Sequence, residues 1–76
     1  MKPAELTQTI SDTLSRLRKS ELKVADFVLK NPLAVIRMRI VDLAEKSGVS
    51  EPTVVRFCRA VGCTGFQDFK LALAQQ

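Results

Sequence analysis

Histidine is missing from this 76-residue chain, while glycine and proline occur three times each and cysteine twice. Without histidine the common Cys and His zinc sites cannot be assembled, and general acid–base chemistry loses its usual carrier. There is no glycine-rich phosphate loop, and no paired carboxylates stand out from the surface charge. These gaps argue against an enzyme and against a bound metal or cofactor. No apolar run approaches the ~18 residues that a membrane-spanning helix needs. Met1 to Gln8 lack the basic-then-apolar layout of a secretory signal, so a cytoplasmic protein without membrane contact is expected. The two cysteines, Cys58 and Cys63, are then expected to be free thiols, Cys58 as a small buried apolar residue.

What is present is a hydrophobic fraction of 46%, which with so little glycine and proline argues for a folded chain. A chain this short has room for one core, so residues 1–76 are read as one domain. Twelve Lys and Arg against eight Asp and Glu give a net charge of +4. Most of the excess lies between Leu14 and Arg39, where Arg16, Arg18, Lys19, Lys23, Lys30, Arg37 and Arg39 face only Glu21 and Asp26. Such a stretch suits an anionic partner, and it equally suits a solvated helical surface.

Hydrophobic spacing predicts five helices. Leu6, Ile10, Leu14 and Leu17 fall on one face of a first helix from about Pro3 to Leu17. Ser20 is expected to cap a second helix, which carries Val24, Ala25, Val28 and Leu29 inward with Leu22 and Phe27 flanking, and which stops at Asn31-Pro32. Leu33 to Met38 fits a helical turn or an extended connector equally well. A third helix spans Ile40 to Ser47 and ends at Gly48, where a left-handed residue is wanted. Ser50 caps a fourth, with Pro52 in its first turn and Val54, Phe57, Cys58 and Val61 on one face. Thr64 and Gln67 form the capping box of a fifth helix, whose Phe66, Phe69, Leu71, Ala72 and Leu73 supply more apolar surface than a small terminal helix needs. The sequence stops at Ala74-Gln75-Gln76 with no helix-ending signal, as expected of a domain that continues into a longer protein.

The third and fourth helices have the spacing of a helix-turn-helix, giving an all-α, five-helix bundle of homeodomain-like architecture. Such a motif needs a small residue where its helices touch, a glycine in the turn and apolar residues locking the second helix. Leu43, Ala44, Gly48, Val49, Val54 and Phe57 fill these places. Helical geometry then turns Pro52, Thr53, Val55, Arg56 and Arg59 outward, toward the major groove in this arrangement. Arg56 and Arg59 can each meet a guanine edge or a phosphate, Thr53 can hydrogen-bond near the helix start, and Val55 can touch a thymine methyl. The motif itself is nearly neutral, so phosphate contacts are expected from Ser50 and from Lys19, Lys23, Arg37 and Arg39 upstream.

Ser20-Glu21, Val24 to Phe27, Asn31-Pro32, Asp42 to Ala44, Gly48 to Ser50, Thr53 to Arg59, Gly62, Gly65-Phe66 and Phe69-Lys70 together resemble the N-terminal domain of RpiR-type bacterial transcription regulators. Two positions depart from that pattern: Arg39 stands where a small hydroxyl residue usually caps a helix, and Cys63 where a large apolar residue follows the glycine. The resemblance implies sequence-specific binding of double-stranded DNA by a repressor of carbohydrate metabolism. It also implies a homodimer in the full-length protein, and a phosphosugar effector bound by a C-terminal sugar isomerase domain that these residues do not include. The competing reading is a protein-interaction or dimerisation module that docks through the apolar excess of the first and last helices. It predicts binding insensitive to salt, whereas DNA binding weakens steeply as salt rises.

Overall fold

The computed structural model describes residues 5–75, and within that span the chain forms six α-helices: α1 (Glu5–Thr13), α2 (Lys19–Lys30), α3 (Pro32–Ile36), α4 (Ile40–Ser47), α5 (Glu51–Ala60) and α6 (Phe66–Ala74). The additional helix is α3, the segment that hydrophobic spacing left open. Pro32 opens it with a preset φ, and one helical turn buries Val35 completely while leaving Leu33 at the surface.

The first helix is shorter than its apolar spacing suggests. It gives way at Thr13 to a 3₁₀ turn, Leu14–Arg16. The Thr13 hydroxyl donates back to the Thr9 carbonyl at 2.6 Å, a local bond that competes with helix continuation. The expected start at Pro3 lies outside the described residues.

Acidic side chains, rather than hydroxyls, fix three of the helix starts. Oε1 of Glu21 accepts the Arg18 amide at 3.2 Å, so α2 is capped at Arg18 and Ser20 lies inside the helix instead of capping it. Oδ2 of Asp42 accepts the Arg39 amide at 3.0 Å in the same way at the start of α4. A guanidinium has no acceptor, so each arrangement is the carboxylate half of a capping box. At α6 the expected Thr64 and Gln67 box does not form. Gly65 takes the cap position, and the Thr64 amide donates to Oδ2 of Asp68 at 2.9 Å.

The core runs through all six helices. Ile10, Val24, Val28, Val35, Leu43, Val54, Phe57 and Phe69 are fully buried, and Cys58 joins them. Helix α2 packs against α4 and α5, while α6 packs against α3 and α5. Phe57 and Phe69 meet edge to face, with centroids 5.5 Å apart, and this contact ties α5 to α6. The surplus apolar surface of α6 is thereby mostly used: Phe66, Phe69 and Leu73 are buried, and Leu71 remains exposed.

Candidate nucleic-acid interface

The turn between α4 and α5 is built on one glycine. Gly48 has φ 72°, a left-handed conformation that a Cβ disfavours. Its amide donates to the Glu45 carbonyl at 3.1 Å, and the Val49 amide donates to the Ala44 carbonyl at 2.9 Å. This is the Schellman arrangement, which satisfies two helix-end carbonyls and reverses the chain in the fewest residues. Ala44 on α4 is 4% exposed, and Leu43, Val54 and Phe57 are buried in the same core, where α4 packs against α2 and α5. Val49 is partly buried against the same core.

Ser50 caps α5, its Oγ accepting the Thr53 amide at 3.4 Å, with Pro52 in the first turn. With Val54, Phe57, Cys58 and Val61 buried, the opposite face of α5 is open. Pro52, Val55, Arg56 and Arg59 line a shallow concavity there, together with Glu51 and with Ile40 from the start of α4. Ile40 was not among the residues singled out from sequence. Its place at the first position of α4, beside the open face of α5, becomes visible only when the two helices are packed.

Thr53 does not point outward as expected. It is 4% exposed, its hydroxyl lies 2.9 Å from Oγ of Ser50, and it accepts a hydrogen bond from Nη2 of Arg56 at 3.1 Å. The physical reason is helical spacing: Thr53 precedes Phe57 by one turn and so shares its inner side. Arg56 is correspondingly half-exposed, with Nε 3.9 Å from Oε2 of Glu21 on α2.

The upstream cations are spread over separate elements. Lys19 and Lys23 are exposed on α2, Arg37 is exposed just after α3, and Arg39 caps α4. Arg39 already has a partner: Nε and Nη2 donate to the two oxygens of Asp42, each at 3.2 Å. These bonds, with the backbone bond from Arg39, hold the Asp42 carboxyl below its ordinary range. Asp42 also answers the question posed by the departure at Arg39, since the acid three residues on supplies the cap that a small hydroxyl residue would otherwise give.

Cys58 is buried, and burial, with a smaller contribution from nearby Cys63, pushes its thiol up to about 12. Both cysteines are free. Among the described residues no helix is long and apolar enough to cross a membrane.

Comparison with known proteins agrees with this geometry. The sequence profile described as helix-turn-helix domain, rpiR family, matches residues 4–76. The chain is 46% identical over 70 residues to the HTH-type transcriptional regulator HexR of Pseudomonas aeruginosa, covering 92% of this chain and 25% of that protein. It is 53% identical over 58 residues to the bifunctional protein glk of Paraburkholderia xenovorans, covering 76% of this chain and only 9% of the relative. The chain therefore spans a quarter or less of these relatives. Among solved structures, the N-terminal domain of the putative transcriptional regulator ybbH of Bacillus subtilis superposes with a TM-score of 0.88 at 30% identity, over 93% of this chain and 87% of that one. The Vibrio vulnificus NanR protein, complexed with ManNAc-6P, superposes with a TM-score of 0.88 at 39% identity, over 91% of this chain and 26% of NanR. The chain belongs to the rpiR family of helix-turn-helix domains, the DNA-binding domain of bacterial transcription regulators.

Proposed function

We propose that this domain reads an operator in a promoter of sugar metabolism as part of a repressor. The observation that carries the reading is the open face of α5. Its Pro52, Val55, Arg56 and Arg59 form one surface with Ile40, directly after a Schellman turn that fixes the angle of α5 on α4. A helix of this width fits the major groove, and its arginines suit guanine edges or phosphates. Ser50, Lys19, Lys23, Arg37 and Arg39 are the proposed phosphate contacts. The Arg39 contact requires the guanidinium to divide its donors between Asp42 and a phosphate. Thr53 contributes from behind Arg56 rather than by touching a base.

The likeness to HexR and NanR supports regulation of sugar metabolism, and the ManNAc-6P in the NanR complex supports a phosphosugar as effector. On this reading the effector binds a sugar isomerase domain outside these residues. The full-length protein acts in the cytoplasm as a homodimer on half-sites about one helical turn, or a multiple of it, apart. The segment shared with the bifunctional relative is the helix-turn-helix alone, so no enzymatic activity is carried over from it.

The test is fluorescence anisotropy of the 76-residue chain with a labelled duplex from a hexose-catabolism promoter, against a scrambled duplex, across a salt series. Binding that prefers the promoter and weakens steeply with salt is expected. Salt-insensitive binding, or none at low salt, contradicts the reading.

A further inference from the structure

Glu21 sits on α2, outside the helix-turn-helix, yet it reaches the reading face of α5. Its side chain is only 9% exposed and has two partners. Oε1 accepts the Arg18 amide at 3.2 Å, and Oε2 faces Nε of Arg56 at 3.9 Å, an ion pair longer than a hydrogen bond. The Arg56 guanidinium also donates from Nη2 to Oγ1 of Thr53 at 3.1 Å, and Thr53 is in turn bonded to Ser50.

These contacts share one edge of one planar group. Nε and Nη2 lie on the same side of the guanidinium, so that edge is turned inward to Glu21 and Thr53, and the Nη1 end stays free in a side chain that is 54% exposed. A carboxylate so little exposed to water needs a cation nearby, and Arg56 is the cation the fold supplies. An arginine held in this way surrenders fewer rotamers on binding than one that swings freely. Ser50, Thr53 and Arg56 are joined by hydrogen bonds, and the longer ion pair to Glu21 extends this polar chain from α5 to α2.

The geometry points to Glu21, acting with Thr53, as a positioning residue that fixes Arg56 so that its Nη tip meets a guanine edge in the major groove. The inference rests on the DNA-binding reading above. It assigns a role in specificity to a residue that touches no DNA. It also explains why Thr53 is buried at a place where a base contact was expected.

The test uses the 76-residue chain and a duplex selected by that chain from a randomised pool, with a scrambled duplex as reference. Glu21→Gln keeps an oxygen for the Arg18 amide and removes the charge facing Arg56, so the cap is kept while the grip is lost. The expected result is a loss of about five- to tenfold in preference for the selected duplex. Scrambled DNA is expected to bind as before or slightly tighter, because a negative charge has gone. In an Arg56→Ala background the same change should alter the preference by less than about twofold, since the residue it acts through is absent. Thr53→Val, which keeps the shape and removes the acceptor, should give a similar loss and carries the test if the Glu21 variant fails to fold. Preference that survives both variants, or that falls equally with and without Arg56, overturns the positioning role. No preference in the parent chain overturns the DNA-binding reading instead.

Discussion

Nζ of Lys70 donates to the carbonyl of Met38 at 2.8 Å and lies 4.8 Å from the centre of the Phe66 ring. A single side chain from α6 thus holds the segment that leads into α4, and with it the position of the helix-turn-helix. Lys70→Met retains the aliphatic stem and removes the charge-assisted bond. It should lower stability by about 1–2 kcal/mol, measured by urea unfolding. An unchanged midpoint would mean that the α6 contacts of the core suffice without it.

Packing at the centre of the motif makes a sharper demand. Ala44 on α4 is 4% exposed in the core, so Ala44→Leu should overpack it and lower stability by about 1–3 kcal/mol. Thermal unfolding checks this, and an unchanged midpoint would show that Ala44 is not the contact that sets the helix angle.

Much of this arrangement was legible in the sequence because certain residues have few alternative uses. Gly48 after an apolar helix and Ser50 before another mark a turn with little ambiguity, and both act as expected. Neither Ser20 nor Thr64 caps its helix, because nearby acids supply the bonds instead. At α2 the Glu21 carboxylate reaches back to the amide of the cap residue Arg18, and at α6 Asp68 takes the Thr64 amide one residue ahead of the Gly65 cap, so neither start needs a hydroxyl. Thr53 lies at the border of the outward face, and its position one turn before Phe57 draws it into the core side. The meeting of Glu21 with Arg56 was not legible, since it depends on how α2 crosses α5.

The thiols provide a pH-dependent check. Cys58 titrates at about 12 in the fold against an ordinary value of 9.0, so the folded state holds a proton that the unfolded state releases between these values. Its contribution is fully present below about pH 9 and is lost as pH rises toward 12. Cys58→Ala should remove that part of the decline. In the native protein near pH 8, iodoacetamide should modify partly exposed Cys63 ahead of buried Cys58, and equal rates would contradict the burial of Cys58.

Arg59 is exposed on the concavity of α5. Arg59→Ala should weaken binding to a preferred duplex by about 1–3 kcal/mol and weaken binding to scrambled DNA less, as base readout requires. An equal loss on both duplexes, with a salt slope shallower by about one, would make Arg59 a phosphate contact.

DNA is proposed to lie on the open face of α5. Titrating the isotopically labelled 76-residue chain with duplex DNA and following its backbone amide resonances tests this most directly. The largest shifts are expected from Ser50 to Arg59 and at the start of α4. Shifts concentrated instead on α3 and α6, where Leu33 and Leu71 are exposed, would contradict it.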